Sequence, residues 1–111
     1  MAEARLKAGI WVGMALRMGN AAGRYGAVLR KGDPDAGGVL VVLHGRSGNV
    51  VLTQFREKDG ELAWMRGTGP EPVSEDATDA YVRKQISYDP DLWVIEFDAP
   101  DYLPPFEGKI A

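Results

Sequence analysis

The residues best suited to chemistry lie in one short stretch, RKGDPDAGGVLVVLHG at residues 30–45. Asp33 and Asp35 stand two positions apart, as the first two carboxylate ligands of a calcium-binding loop do. The other ligands do not follow, because Gly37 takes the place of a third oxygen ligand and His44 that of the closing glutamate. The sequence therefore predicts no calcium site here, and we assign no metal ligand.

The glycines of the same stretch could instead form a phosphate-binding loop. Gly32 and Gly37 have the gap that such a loop requires, but the next two residues replace the lysine and the hydroxyl residue that reach phosphate and magnesium. A strand is also predicted where a helix should begin. We therefore expect a turn in which Asp33 caps the local backbone, and we keep Asp33 and Asp35 only as candidate binding residues.

His44 is the one histidine of the chain, and it ends an apolar strand three residues before Ser47. A serine and a histidine can form a nucleophile–base pair, but the sequence identifies no acid that would orient the imidazole. One histidine without any cysteine also argues against zinc, which is held by several such ligands. We expect a backbone group to hold His44, and we keep it as the third candidate binding residue.

Acidic residues crowd the last predicted strand, where they could bind magnesium or supply a carboxylate pair for acid–base catalysis. Glu96 and Asp98 alternate with apolar residues, which is typical of a solvated strand face. A site would need another group folded against them, so the sequence assigns no catalytic role to these acids: Asp89, Asp91, Glu96, Asp98 and Asp101.

Charge is unevenly distributed along the 111 residues. Residues 1–31 hold six basic residues against one acidic residue, a balance of +5, and the remainder holds seven against fifteen, a balance of −8. Clustered cations are the footprint of a nucleic-acid-binding protein, but helical spacing directs Arg5 away from Arg17. The sequence therefore argues against a nucleic-acid partner and favours solvation, or pairing with the acidic half, for these cations: Arg5, Lys7, Arg17, Arg24, Arg30 and Lys31.

The amino-terminal segment imitates a secretory signal, because Arg5 and Lys7 precede the apolar run AGIWVGMAL. Glu3, Arg17 and Asn20 contradict that signal, and nine residues are far short of a membrane span. The chain also has no cysteine, which fits a reducing compartment. We expect a cytoplasmic protein with no membrane partner.

Hydrophobic periodicity and turn residues divide the chain into a helix, four strands, a helix and a strand. Ser74 is a good N-cap for the second helix, and Pro90 ends it. These elements predict one α+β domain over residues 1–111, with both helices on a two-layer, mostly antiparallel sheet of about five strands and a proline-rich extended tail at 99–111. The predicted elements cover residues 5–22, 25–31, 39–45, 49–56, 61–66, 74–88 and 92–97.

The first helix is apolar over most of its circumference, so we expect it to be covered on more than one face. The core-facing stripe is predicted to contain Ile10, Trp11, Met14, Ala15 and Met18. Gly9 and Gly13 lie on another side, and small residues at this spacing allow a second backbone to approach closely. Either the sheet or a second subunit is expected there.

Three stretches, RLKAGIWVGMALR, VLRKGDPDAGGVLVVL and DAYVRKQISYDPDLWVIE, resemble in this order a family of small bacterial proteins, domain-of-unknown-function family 1491. The resemblance extends from about Arg5 to Glu96 and leaves out the tail. It implies a small cytoplasmic bacterial protein, and it implies no reaction, cofactor or catalytic residue.

Two functions follow from these observations. The first is a non-enzymatic protein-interaction module without a cofactor, whose partner is another protein or a second copy bound through the first helix or a strand edge. The alternative is a small metal- or nucleotide-dependent enzyme that uses the 33–38 loop with His44 and acids of the last strand.

Overall fold

A computed structural model of the chain describes residues 6–111, so the expectations for Glu3 and Arg5 lie outside the described residues. The predicted order of helices and strands is confirmed. The elements are α1 (Ala8–Ala21), β1 (Gly26–Arg30), β2 (Val39–Gly45), β3 (Gly48–Arg56), β4 (Leu62–Arg66), α2 (Glu75–Tyr88) and β5 (Trp93–Asp98).

The five strands form one sheet in the order β1-β5-β2-β3-β4. The β2–β3 and β3–β4 pairs are antiparallel hairpins, and β1 pairs antiparallel with β5. The β2–β5 pair is parallel, with Val39 opposite Trp93 and His44 opposite Asp98. The predicted α+β class with a mostly antiparallel sheet is therefore confirmed, and β2 is its central strand.

Helix α2 begins and ends where the sequence predicts, because the signals at both ends are local. The Ser74 hydroxyl accepts a hydrogen bond from the Ala77 backbone N–H at 3.1 Å, and Glu75 and Asp76 occupy the first turn. The helix stops before Asp89, whose backbone is extended because Pro90 follows it.

The two helices pack on opposite faces of the sheet, so the body has three layers where a two-layer arrangement was expected. On one face α1 covers Val41, Leu43, Ile95 and Phe97, and on the other face α2 covers a second apolar cluster. The central strands are apolar at consecutive positions, and such strands require cover on both faces. The second cluster consists of Leu40, Val42, Val51, Leu92 and Val94.

The core-facing stripe predicted for α1 is wrong for its three long aliphatic side chains, which are exposed: Ile10, Met14 and Met18. The helix instead buries Ala8, Val12, Ala15 and Gly19. The reason is the bulk of the sheet surface beneath it. A Cβ added at Gly19 would lie 2.5 Å from Cε1 of Phe97, so only the small face of α1 fits against the sheet.

The tail packs on the face that α1 covers. Phe106 is buried against Trp11 and Trp64, with ring centroids 5.1 and 5.4 Å away. The backbone N–H of Trp64 donates to the Lys109 carbonyl, and the backbone N–H of Ala111 donates to the Trp64 carbonyl. The last residues therefore lie along the outer edge of β4.

Candidate functional site

The loop before β2 is a turn stabilised by Asp33. Its Oδ2 accepts the backbone N–H groups of Asp35 at 3.1 Å and Ala36 at 2.7 Å, and its carbonyl accepts the indole N–H of Trp93 at 2.8 Å. A Cβ at Gly32 or at Gly37 would overlap the carbonyl oxygen of Asp91, so both glycines are required where the loop packs. These contacts account for the composition of the loop without a ligand.

Asp35 points away from that turn. Its carboxylate is largely exposed, with Lys7 Nζ at 3.6 Å as its ion-pair partner. It lines a cavity of about 710 Å³ between the start of α1 and the β3–β4 hairpin, together with Trp11, Gln54 and Phe55. Asp35 is therefore separated from His44 by most of β2, since the strand rises roughly 16 Å from Val39 to His44.

His44 lies at the opposite end of β2, where a buried asparagine holds it. The imidazole Nδ1 is 2.7 Å from Oδ1 of Asn49, which is 1% exposed. The Asn49 amide nitrogen donates to Glu75 Oε1 at 3.0 Å and to Thr78 Oγ1 at 3.1 Å. We call His44, Asn49, Glu75 and Thr78 the His44 cluster. It joins β2 and β3 to the start of α2, and the side chain that holds His44 is Asn49, where a backbone group was expected.

The electrostatics of the His44 cluster favour a charged imidazole. The hydrogen bond that the imidazole donates to Asn49 Oδ1 raises the pKa of His44, burial opposes this effect, and Glu96, Glu75 and Asp98 raise the pKa further. Burial raises the pKa of the Glu96 carboxyl, while His44 lowers it. Among the described residues the hydrogen-bond partner of the His44 ring is Asn49 and not Ser47, whose backbone N–H donates to the Tyr102 hydroxyl at 3.0 Å.

The five acids of the carboxyl-terminal part divide between the two ends of the sheet. Glu96 and Asp98 lie near His44, whereas Asp89 and Asp91 lie beside the 33–38 loop. Asp101 forms a bidentate pair with Arg24, at 2.9 Å for both bonds. Within residues 6–111, no three His, Asp or Glu side chains are grouped to hold a metal ion.

A cleft of about 350 Å³ opens between α2 and the β1–β5–β2 part of the sheet, beside the His44 cluster. We call it the α2 cleft. Its walls combine apolar side chains with carboxylates, and it is lined by Leu29, Arg30, Val42, Asn49, Glu75, Thr78, Asp79, Val82, Ile86, Val94 and Glu96. No local pattern in the sequence indicates this cleft, because its walls come from five separate elements.

A second exposed feature is the outer face of α1. Ile10, Met14 and Met18 follow one another at four-residue intervals along the helix, and each is between 38% and 53% exposed. Side chains at this spacing form a continuous ridge along a helix. We call these three residues the α1 ridge.

Titration of His44 provides a test of its environment. Its pKa is raised above 6.5 in the folded chain, so its stabilising contribution is fully present below 6.5 and is lost as pH rises through the folded value. We therefore expect His44→Gln to lower the free energy of unfolding more at about pH 5.5 than at about pH 8. Urea unfolding at both pH values measures this difference. An imidazole pKa at or below 6.5 by NMR would contradict it.

No helix in the described part of the chain is long and apolar enough to cross a membrane.

Comparison with known proteins places the fold. The crystal structure of a DUF1491 family protein from Caulobacter crescentus CB15 is 31% identical, with a TM-score of 0.85, and the match covers 96% of this chain and 100% of that one. An NMR structure of a DUF1491 family protein from the same organism is 30% identical, with a TM-score of 0.85 and coverage of 98% and 99%. A solution structure from A. tumefaciens shares the fold at 22% identity and a TM-score of 0.79, over 93% of both chains.

The search of curated proteins finds no match. The family model described as "Protein of unknown function (DUF1491)" matches residues 6–107, which include both helices and all five strands. The chain belongs to the DUF1491 family.

Proposed function

We propose that this protein is a non-enzymatic protein-interaction module of the cytoplasm, and that it binds a second copy of itself through the outer face of α1. The observation that carries the proposal is the α1 ridge. A surface helix of a globular protein normally presents polar residues on its outer side. Here that side presents three large apolar side chains over about two turns.

A second copy fits this face because the face is complementary to itself. Gly13 leaves a shallow groove beside the ridge, since it carries no side chain, whereas Gly9 is covered by the 33–38 loop, where its backbone N–H donates to the Pro34 carbonyl at 2.9 Å. Packing of four-residue ridges into such grooves is the commonest helix–helix contact in globular proteins. A two-fold axis near Ile10 and Met14 would place each ridge in the groove of the other copy, which is the form that symmetric dimers require.

Gly13 supports a partner because the chain itself gives no reason for it. An added Cβ would meet only Arg17 Nη1, at 3.6 Å. A glycine inside a helix costs about 1 kcal/mol relative to alanine. Gly19 in the same helix is explained by Phe97, so the contrast between the two glycines points to a contact outside the chain.

Charge on this face is compatible with a second copy. Arg17 is the one charged residue of α1. The crossing angle set by four-residue ridges is about −50°, so the two helices diverge away from the axis. Lys7 of both copies would then remain in water, whereas the exposed Arg17 side chain, whose Nη1 lies 3.6 Å from the position of a Cβ on Gly13, would move aside to admit the ridge of the other copy.

Other observations support a protein partner over the alternatives. Arg24 is paired with Asp101, and the Arg30 guanidinium donates to the Leu92 and Pro90 carbonyls, so two of the amino-terminal cations are engaged within the chain. The alternative enzyme required the 33–38 loop and His44 in one site, and they lie at opposite ends of β2. The absence of cysteine supports the cytoplasmic part of the proposal.

The proposal is tested by molar mass in solution. Light scattering of the full chain over a concentration series should give the mass of a dimer at high concentration. We expect Ile10→Glu to raise the dimer dissociation constant at least tenfold, or about 1.4 kcal/mol, because it places a charge in an apolar contact. Leu103→Glu is the matched control, since Leu103 is 50% exposed and Ile10 is 53% exposed.

Gly13→Leu separates an effect on the dimer from an effect on the fold. Leucine favours the helix more than glycine does, so the isolated chain should unfold at a higher urea concentration. The same side chain fills the groove, so the dimer should weaken. A monomeric mass for the wild-type chain at every concentration, or equal weakening by Ile10→Glu and Leu103→Glu, would overturn the proposal.

A further inference from the structure

The α2 cleft exists because α2 covers only part of its face of the sheet. The helix is fixed over β3, where the Tyr81 hydroxyl lies 2.7 Å from Thr53 Oγ1 and Asn49 donates to Thr78. The floor formed by β1 and β5 extends beyond the helix. A space of about 350 Å³ therefore remains between α2 and these strands.

One part of the cleft is apolar. Leu29 comes from the edge strand β1, Val94 from β5, and Val82 and Ile86 from successive turns of α2. Leu29 is exposed, so a compact hydrocarbon group entering the cleft would remove apolar surface from water on both sides. Such burial contributes about 25 cal/mol per Å².

The other part of the cleft is acidic. Glu75 and Asp79 come from the first turns of α2 and Glu96 from β5. Glu75 raises the pKa of Glu96, so the two carboxylates interact. Within the described residues, Glu96 has neither a hydrogen-bond nor an ion-pair partner, although it is half-buried.

The one lysine or arginine that lines the cleft does not neutralise these acids. Arg30 Nη1 donates to the Leu92 carbonyl at 2.6 Å, and Nη2 donates to the Pro90 carbonyl at 2.8 Å. Both bonds direct the guanidinium toward the α2–β5 loop. The cleft therefore presents carboxylates next to an apolar wall, and the cation beside them is the imidazole of His44, whose Nδ1 lies 3.7 Å from Glu75 Oε1 and which also interacts with Glu96.

We propose that the α2 cleft binds an organic cation, with an ammonium group on Glu96 and Glu75 and an apolar body against Leu29, Val82 and Ile86. An ammonium has three donors and no acceptor, which matches the Glu96 carboxylate, for which the described residues supply no donor, and the second oxygen of Glu75, whose Oε1 accepts from Asn49. Charge-assisted hydrogen bonds of this kind are stronger than neutral ones. The volume of the cleft lies within the range of sites for small molecules.

The experiment compares two probes of one shape, 2-phenylethylammonium and the neutral 2-phenylethanol, by NMR titration of the full chain with labelled methyl groups. We expect the ammonium to give saturable shifts at Leu29, Val82 and Ile86, and to bind at least tenfold more tightly than the alcohol. Glu96→Gln keeps the shape of the side chain and should remove that difference. Glu107→Gln is the control, because it changes net charge equally at an exposed tail position.

Equal affinity for the two probes would overturn the proposal, as would ammonium shifts that are absent from the three cleft methyl groups. An equal loss of affinity for the ammonium probe in Glu96→Gln and Glu107→Gln would also overturn the proposal, because the effect would then be one of net charge. The α2 cleft and the α1 ridge lie on opposite faces of the sheet. Ile10→Glu should therefore leave probe binding unchanged, and the two proposals can fail separately.

Discussion

Phe97→Ala is expected to lower the free energy of unfolding by about 3–5 kcal/mol, the range found when a buried aromatic side chain is truncated. Phe97 is completely buried in β5. Its ring fills the space above Gly19 and Gly26 and packs against Phe106, with the centroids 6.1 Å apart. Removing it leaves a cavity beneath both α1 and the tail. Urea unfolding of the full chain measures the loss.

Two further variants show whether Phe97 acts through this contact. Tyr25→Ala removes an exposed aromatic side chain next to β1 and should change stability by no more than about 0.5 kcal/mol. Gly19→Ala should destabilise the wild type, and Phe97→Leu should relieve part of that cost by clearing space for the new methyl group. Additive effects of the last two changes, or a loss below about 1 kcal/mol in Phe97→Ala, would contradict this role.

Asn49→Ala is expected to cost about 2–4 kcal/mol, because it removes three side-chain hydrogen bonds at a buried position, one of them to a carboxylate. These bonds connect β2 and β3 to the first turn of α2. The variant should also lower the pKa of His44, since the hydrogen bond from the imidazole to Asn49 Oδ1 is the largest cause that raises it. Urea unfolding and an NMR titration of the imidazole measure the two effects.

Asn20→Ala is the matched control for that change. Asn20 is exposed in the last turn of α1, and alanine is a better helix former. The free energy of unfolding of this variant should therefore stay within about 0.5 kcal/mol of wild type. If Asn49→Ala is no more harmful than Asn20→Ala, or if the pKa of His44 does not fall, the network assigned to Asn49 is wrong.

The elements of the fold were predictable where their signals are local. Ser74 begins α2 through a side-chain hydrogen bond to the first turn, and Pro90 ends it through backbone sterics. Both effects act within a few residues. The turns between β2, β3 and β4 likewise follow from glycine, asparagine and aspartate close to each strand. Contiguous apolar residues in β2 placed it in the middle of the sheet.

The buried face of α1 was not predictable in this way, because a partner distant in sequence determines it. A hydrophobic pattern favours burying Ile10 and Met14, and both are exposed. The bulk of Phe97 on β5 requires small residues opposite it. The parallel pairing of β5 with β2 is similarly long-range, and it brings α1 and α2 onto different faces.

The candidate site was predicted in part. His44 was selected from its type and its place at the end of a strand, but Asn49 and Glu75 were not. Asn49 follows Gly48 at the start of an apolar strand, where a buried amide is unusual, and that position was the available signal. Its partners Glu75 and Thr78 lie 26 and 29 residues away, so the network depends on how α2 docks.

The two borders of the sheet have different consequences for self-assembly. At the β4 border, residues 109–111 form backbone hydrogen bonds with Trp64. The other border of the sheet is β1. Unpaired strand backbone is a template on which further strands add and fibrils grow. Growth is therefore obstructed at one border by residues 109–111. A chain shortened to residue 108 would be open to fibril growth in two directions.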